Sequence, residues 1–374
     1  MQSPVETSRL HPMAQKALDP SAPTKLKLGA ARGLLPGLPA ADVVSVVALL
    51  TRDPDRSIAS TAADTLAKLP NPIVYSAFAA ELQSSVLSII ARHNTGNDPV
   101  LLRLLDNPGV DNETVAFLAE LGSEALCERI AVNEERLLQC PAIAEMLYMN
   151  ERVRMSTADR VVELAVRNGV ELNIPAFREA ATAIQDELIS EPTEEPSPDD
   201  ILFQEVGALA QALDAQAETE DVVDVDDEGN EVVKERLTPI WVQITSMTIS
   251  QKIRRALLGT GTERMLLVRD KNRLVSSAAI RSPKMKENEV ALISANRSVS
   301  DEVLRIIAKN REWTRVHQIK YNLVCNPRTP LTFASQLIPH LRDHELKAIA
   351  KSKNVTGAVG QIARQHLIKR QDRN

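Results

Sequence analysis

Hydrophobic residues recur every three or four positions through most of this chain, and short segments rich in Asn, Pro, Gly or Ser separate the recurrences. One example is the stripe of Ile58, Ala62, Leu66 and Leu69, which follows an Asp-Pro-Asp turn. Side chains at this spacing lie on one face of an α-helix. The pattern therefore predicts a succession of short helices joined by turns.

Both halves of the chain contain a recurring phrase of one turn followed by one helix. An Asn or Ser opens the turn, and an apolar residue expected to be buried follows seven or eight positions later. The copies begin at Asn107, Ser282, Asn296, Asn326 and Ser352. Such repetition is typical of stacked helical units that bury their apolar faces against one another. The predicted fold class is all-α, with two helical-repeat (α-solenoid) domains.

Three segments of the second half are ambiguous between strand and helix because they are rich in β-branched or apolar residues. They are Ile240–Thr245, Met265–Val268 and Leu274–Ala279. The first follows Thr238-Pro239, which suits a helix start, and precedes a helical segment that a glycine ends. We predict helices in all three segments.

Composition shifts divide the chain into four parts. We expect a flexible N-terminal arm at 1–24, an N-terminal helical-repeat domain at 25–185, an acidic disordered linker at 186–236 and a basic C-terminal helical-repeat domain at 237–374. The linker contains several prolines and too few apolar residues to offset the entropy of ordering the chain. Within it, Ile201–Leu213 has the pattern of a short amphipathic helix, either docked on a partner or solvated.

Composition also excludes several kinds of site. The chain has only 5 Phe, 3 Tyr and 2 Trp, too few for a surface that stacks nucleic-acid bases. Its three cysteines, Cys127, Cys140 and Cys325, are far apart and have no paired spacing. They predict a reducing compartment and argue against a disulfide framework, a zinc ribbon or an iron–sulfur cluster.

The sequence predicts neither a signal peptide nor a membrane span. The N-terminus has no basic region followed by an apolar core. No apolar run approaches the roughly 18 residues that a spanning helix needs. We expect a soluble, cytoplasmic protein.

The net charge of −6 hides a strong asymmetry along the chain. Residues 237–374 contain 25 Lys and Arg against 10 Asp and Glu, whereas residues 186–236 contain 18 acidic and 2 basic residues. A basic domain of this kind attracts phosphate backbones, anionic lipids or acidic proteins. The acidic segment is covalently attached, so it could also cover the basic domain and compete with an outside ligand.

Two motifs carry a resemblance to known repeat families. Asp53-Pro54-Asp55 with its following helix is similar to a HEAT-like repeat, and Leu323-Val324-Cys325-Asn326-Pro327-Arg328-Thr329-Pro330 with the helix Leu331–Leu337 resembles a leucine-rich-repeat variant. Both are α-solenoids, and the resemblance implies macromolecular binding or assembly without a reaction. Some members of the variant family have an N-terminal cysteine cluster for iron and sulfur. This chain lacks that cluster, so no cofactor is implied.

His340 and His344 have the spacing of two zinc ligands one helical turn apart. A third ligand is missing from the neighbourhood, and only the fold could bring His317 or His366 to them. Leu341 stands where a metalloprotease has its glutamate. The ordinary interpretation, polar residues at a repeat turn, is preferred, and we predict no metal site.

The acidic segment also matches part of a calcium-binding loop. Asp224, Asp226, Glu228, Gly229 and Glu235 fall on ligand or turn positions of that loop. Glu231 stands where an apolar residue is expected, and good flanking helices are missing. We interpret the segment as a solvated turn or a small hairpin joining Val222-Val223 to Val232-Val233.

Two further patterns have structural interpretations. Gly259-Thr260-Gly261-Thr262 lacks the third glycine, the Lys and the preceding strand of a phosphate-binding loop. It reads as a helix end followed by the cap of the next helix. Cys127 and Cys325 read as buried or turn cysteines. We predict no catalytic residue, no cofactor and no small-molecule substrate.

Basic residues near predicted turns are the strongest functional signal. If the turns line one edge of a repeat array, their cations form an anion-attracting edge. Trp313 lies among them and would anchor a partner if its ring is exposed, although a buried ring is the ordinary alternative. The predicted interaction surface consists of Lys284, Lys286, Arg297, Arg311, Trp313, Arg315, Arg328, Lys351 and Lys353, and Lys271, Arg273 and Arg281 share its character.

The sequence leaves two functional hypotheses open. The first is a non-enzymatic scaffold or adaptor that binds protein partners through helical-repeat surfaces. The alternative is a nucleic-acid binder, in which the basic C-terminal domain contacts the phosphate backbone without reading bases and the acidic segment acts as an inhibitor. An enzyme is the least favoured class because each candidate site has an ordinary structural interpretation.

Overall fold

The computed structural model of the chain describes residues 7–185, 195–214, 222–225, 231–352 and 354–371. These residues are helical apart from turns and one antiparallel hairpin, in which Val223 faces Val233. The all-α prediction is therefore confirmed. Within those residues, no helix combines the length and the apolar character needed to cross a bilayer.

The chain forms two compact units, Met1–Leu172 and Asn173–Asn374. Short 3₁₀ helices occur at Thr7–Arg9, Glu235–Leu237 and Ile338–His340. The helices of the first unit are α1 (Pro12–Leu18), α2 (Thr24–Ala31), α3 (Ala40–Leu50), α4 (Arg56–Lys68), α5 (Asn71–Phe78), α6 (Ser84–His93), α7 (Asp98–Leu105), α8 (Asn112–Leu121), α9 (Glu124–Ala131), α10 (Glu134–Gln139), α11 (Pro141–Met149) and α12 (Met155–Arg167).

The second unit begins with two helices that precede the hairpin and continues with eleven that follow it. Its elements are α13 (Phe177–Gln185), α14 (Pro198–Asp214), β1 (Val223–Val225), β2 (Glu231–Val233), α15 (Thr238–Ser246), α16 (Ile249–Leu258), α17 (Gly261–Leu267), α18 (Arg273–Ile280), α19 (Glu287–Ala295), α20 (Asp301–Lys309), α21 (Arg311–Arg315), α22 (His317–Cys325), α23 (Leu331–Leu337), α24 (Asp343–Lys351) and α25 (Gly357–Gln371).

Helix α3 is the centre of the first unit's N-terminal part. It packs against α1, α2, α4, α5 and α6, and Val44, Val46 and Val47 are fully buried. A helix that is apolar on several faces is stable only when neighbours surround it. The segment expected to be a loose arm differs from that expectation, because α1 packs on α3 through the fully buried Ala14 and Ala17.

Helix α16 has the same role in the second unit. It packs against α13, α17 and α18, and its Ile253, Ala256 and Leu257 are fully buried. Contacts then pass from α18 to α20 and from α19 to α22. Alternate helices thus pack on each other, as expected when helical hairpins stack side by side.

The three ambiguous segments of the second half are helices α15, α17 and α18, as predicted. Capping explains why the neighbouring helices start where they do. Thr248 and Gln251 form a capping box at α16, and Thr260 and Glu263 form one at α17. Each box satisfies backbone N–H groups that a helix cannot satisfy itself.

The unit boundary lies nearer the N-terminus than the boundary expected from composition. Helix α13, expected in the N-terminal domain, contacts α16 and α18. Helix α14 lies inside the segment expected to be a disordered linker, yet it packs on α15, α16 and α17. Its Phe203, Val206 and Ala210 are at most 1% exposed. Their burial stabilises α14 on the second unit, although the acidic segment as a whole contains few apolar residues.

Candidate interaction surface of the second unit

Asn326 shows how the recurring turn residue is used. Its buried side-chain Nδ2 donates to the carbonyl oxygens of Ser294 and Asn296, at 3.0 and 2.7 Å. Its Oδ1 accepts a hydrogen bond from the backbone N–H of Arg328 at 3.0 Å. The carbonyls at the end of α19 have no partner within that helix. Asn326 therefore joins the end of one helix to the turn of the next repeat.

The same role recurs in other copies of the turn. Ser282 Oγ donates to Leu257 O at 3.1 Å. In the first unit, Asn107 Nδ2 donates to the carbonyl oxygens of Phe78 and Ala80, and Asn150 Nδ2 donates to those of Ala119 and Gly122. These acceptors lie 27 to 31 residues earlier in the chain. The recurring turn residue thus has a structural role. The sequence analysis located these turns but did not predict their hydrogen bonds.

The apolar residue expected to be buried in each copy is buried in four of the five. In the fourth copy, Phe333 is half-buried and its neighbour Ala334 is buried instead. The four residues that follow the prediction are Val115, Val290, Val303 and Val359.

Some turn cations also bind carbonyl oxygens of the preceding repeat. Lys284 Nζ lies 2.7 Å from Leu258 O, and Arg328 Nη1 lies 3.2 Å from Ser298 O. Leu258 is the last residue of α16, and carbonyls at a helix C-terminus carry partial negative charge, so the Lys284 ammonium is favourable there. These two residues of the predicted surface serve, at least in part, to hold the stack together.

The predicted cations do not lie along one edge. Arg273 and Arg281 flank α18 at its two ends, and a helix of eight residues is about 12 Å long. Arg273 lies 3.6 Å from Glu302 at the start of α20. The turns before α18, α20 and α23 therefore share one edge, which we call edge A. It carries Lys271, Arg273, Arg297 and Arg328. Lys351 is assigned to it as well, because it ends α24, whose start lies at the opposite end of the helices, where Glu345 bonds to His317.

The other turns form edge B, at the opposite ends of the helices. Asn322 of α22 and Asn326, which follows it, bond to α19 and its C-cap Asn296 at sequence offsets of 28 to 32, so α19 and α22 run parallel in register. The starts of α19 and α22 are then neighbours. His317 bonds to Glu345 at 2.8 Å, which places the start of α24 beside them. Edge B carries Arg281, Lys284, Lys286, Arg311, Trp313 and Arg315.

Four cations of the predicted surface are exposed and make neither an ion pair nor a side-chain hydrogen bond within the part of the chain that the structure describes. They are Lys286 and Arg311 on edge B and Arg297 and Lys351 on edge A. Others are paired, since Arg281 binds Glu179 at 2.6 Å. Lys353 lies outside the described residues. Both edges thus display unneutralised positive charge.

Trp313 is half-buried, between the two alternatives that the sequence left open. It lies on α21, a helix of five residues, none of which is buried. Arg315 pairs with Glu312 at 3.1 Å, and both side chains are about three-quarters exposed. The ring is therefore only partly used by the protein's own packing.

A buried charge ladder runs through the second unit beside these edges. Arg255 Nε donates to Glu263 at 2.7 Å, and Arg264 donates to Glu289 at 2.7 and 3.1 Å. Burial raises the pKa of the Glu263 carboxyl, although Arg255 and the N–H of Thr260 oppose the rise. The sequence analysis did not identify these buried ion pairs. The pattern that could have indicated them is a Glu at the third position of α17, α19 and α24.

Helix α14 packs on the first members of this ladder. Two guanidinium groups contact the Phe203 ring, with the Cζ atom of Arg254 5.0 Å and that of Arg255 4.9 Å from the ring centre. A Cβ atom on Gly207 would lie 2.7 Å from Arg255 Nη1, so only glycine leaves room for that guanidinium. Arginine stacked on an aromatic face is a favourable cation–π arrangement. Part of the acidic segment therefore covers two arginines of the basic domain.

The structure places the two histidines in separate elements and part of the calcium-like loop in a hairpin. His340 ends a 3₁₀ turn and His344 lies in the separate helix α24, so no continuous helix spans the pair. The described residues contain no group of three or more His, Cys, Asp or Glu placed to hold a metal. In the calcium-like segment, Asp224 pairs with Val232 in the hairpin, and residues 226–230 lie outside the described residues.

The remaining candidates are structural. Gly259 ends α16 and Thr260 caps α17, as predicted for that glycine-containing segment. Cys127 is buried, and burial raises the pKa of the half-buried Cys325 thiol, whose bond to Tyr321 only partly offsets this. A thiol with a raised pKa is a poor nucleophile at neutral pH.

No protein-family model, curated protein or solved structure matches this chain.

Proposed function

We propose that this chain is a non-enzymatic scaffold or adaptor, built of α-solenoid, HEAT-like repeats, whose second unit binds acidic protein partners. One contrast supports this most directly. The buried side chains of Asn107, Ser282 and Asn326 join helices through hydrogen bonds, whereas Lys286, Arg297, Arg311 and Lys351 extend into solvent. Within the described residues, these four cations make no ion pair and no side-chain hydrogen bond, so they are free to bind an acidic partner.

Nucleic-acid binding is the second candidate, and the charge of residues 237–374 favours it. The distribution of that charge favours a protein partner. Duplex binders commonly contact about six to ten phosphates along one continuous surface. Here the exposed cations divide between two edges about 12 Å apart, the length of α18. In either case, the acidic segment that contains α14 would compete with the ligand, and α14 already covers Arg254 and Arg255.

The experiment is an anisotropy titration of the full chain with a labelled glutamate 20-mer at low salt. A variant with Gln at Lys286, Arg297, Arg311 and Lys351 should bind about tenfold more weakly, since each surface ion pair contributes about 0.2–1 kcal/mol. The control removes the same charge from the first unit by placing Gln at the exposed Lys16, Lys25, Arg52 and Lys68.

The control variant should lose less than about twofold in affinity. Equal losses in the two variants, or no binding by the unmodified chain, would contradict the proposal. A 20-base-pair duplex tested in parallel separates the second candidate. Tighter binding of the duplex, with a steep loss of affinity on adding salt, would favour nucleic acid.

A further inference from the structure

Helix α21 interrupts the regular succession of helical hairpins. Helices α16 and α17 are joined by Gly259 and Thr260 alone, whereas α21 is inserted between α20 and α22. It contacts only these two neighbours strongly and buries none of its five residues. The insertion therefore contributes little to the core, and its sequence is free to serve another purpose.

The insertion nevertheless has a fixed conformation. Asn310 Oδ1 accepts hydrogen bonds from the N–H groups of Glu312 and Trp313, at 3.0 and 3.5 Å. Thr314 Oγ1 donates to Asn310 O at 3.0 Å. A capped helix presents its side chains in defined directions, which lowers the entropic cost of binding a partner.

Positively charged residues flank Trp313 along the chain and at the neighbouring turn of edge B. Lys309 and Arg311 are exposed on either side of Asn310, and Arg315 is 76% exposed. The parallel alignment of α19 with α22 places Lys286 about one helix spacing, roughly 8–10 Å, from the start of α22. Glu287 and Glu312 are the nearby acids in sequence, and Glu312 is bound to Arg315.

We infer that α21 is the recognition element of edge B, and that it binds an acidic protein segment with an apolar side chain between its carboxylates. The apolar side chain covers Trp313, and the carboxylates pair with Arg311 and Lys286. Tryptophan and arginine are the residues that most often dominate binding energy at interfaces. This inference rests on the proposed function and names the surface and partner chemistry within it.

The chain's two tryptophans make a direct test. In a Trp241→Phe variant, fluorescence reports on Trp313 alone. The probes are the glutamate 20-mer and a 20-mer with leucine at every fourth position. The leucine peptide should shift Trp313 emission to shorter wavelength. Trp313→Ala should weaken its binding about tenfold, whereas Trp241→Ala, on α15, should change it less than about twofold.

A charge comparison tests the same surface independently. Lys286→Glu with Arg311→Glu on edge B should weaken binding of the leucine peptide about tenfold. Arg297→Glu with Lys351→Glu on edge A makes the same net-charge change and should cost about threefold or less. Because these residues are exposed, circular dichroism and thermal unfolding should show that both variants are folded.

The outcomes separate the inference from the proposed function. Peptide binding that is insensitive to Trp313→Ala, or more sensitive to the edge A pair, would overturn the inference and leave the proposed function standing. Absence of binding by the unmodified chain would overturn both. Preferential binding of a duplex over both peptides would overturn the acidic-protein partner.

Discussion

Asn326 uses both the donor and the acceptor of its side-chain amide. The Oδ1 atom closes the turn by accepting a backbone N–H two residues ahead, and Nδ2 donates to two carbonyls of the preceding repeat. Aspartate would lack the donor. Serine at position 282 makes one bond forward and one back through its hydroxyl. This chemistry explains why Asn and Ser mark the recurring turn.

Replacing Asn326 with alanine should lower the free energy of unfolding by about 1–3 kcal/mol, because buried carbonyls lose their donor. The measurement is the urea midpoint of the full chain. The exposed Asn354 provides the control, and Asn354→Ala should stay within about 0.5 kcal/mol of the unmodified protein. A similar small effect for both variants would show that the link between repeats is not stabilising.

Asp53 gives the first unit a defined pH dependence. Its burial raises its pKa, but the N–H of Asp55 and the Lys27 ammonium, 3.0 Å away, more than offset this and hold the pKa below its ordinary value of 3.8. A depressed carboxyl pKa contributes stability that is present above that ordinary value. This stability is lost as the pH falls through the folded-state pKa.

Lys27→Met should weaken this dependence, because Asp53 without its cation titrates at higher pH. We expect the urea midpoint of the unmodified chain to fall between about pH 4 and about pH 2.5 by more than that of the variant. Lys25→Met, an exposed substitution on the same helix, should keep the full acid sensitivity. Parallel pH profiles for the unmodified chain and Lys27→Met would contradict the assignment.

At the scale of elements, helix α14 is an integral part of the second unit. Phe203 is 1% exposed, and the guanidinium groups of Arg254 and Arg255 both contact its ring. Phe203→Ala should therefore destabilise the second unit by about 3–5 kcal/mol. Ile201→Ala on the same helix, where the side chain is 47% exposed, should cost less than about 0.5 kcal/mol.

Proteolysis under native conditions can measure both variants, because cleavage near α14 reports its release from the second unit. Rapid cleavage should be confined to Phe203→Ala. Equal resistance of the two variants would show that α14 is held by other contacts.

The sequence predicted where the helices lie but not which helices pack against each other. Hydrophobic spacing and caps such as Thr260 placed the helices, because both are local signals. The docking of α14 was not predictable in this way, since its site is lined by Arg254 and Arg255. Arginine is polar in a hydrophobic pattern, yet its stem and guanidinium are buried here by stacking on Phe203.

At the scale of the whole molecule, the charge asymmetry was visible in composition, but its division between two edges was not. Edges A and B depend on which turns become neighbours, and contacts such as those of Arg273, Asn326 and His317 show this. The cations predicted from the sequence thus fall into three groups. Some bind carbonyl oxygens, some pair with carboxylates, and some are exposed without a partner among the described residues. Exposed cations carry the proposed binding role.

Amide hydrogen exchange of the full chain, with and without the leucine-containing acidic 20-mer, tests the central claim most directly. The claim is that the second unit binds acidic partners on edge B through α21 while the buried turn residues hold the stack together. We expect slower exchange at residues 281–286 and 310–316 and no change in residues 7–172. Slower exchange confined to the first unit, or to the edge A turns, would contradict the account.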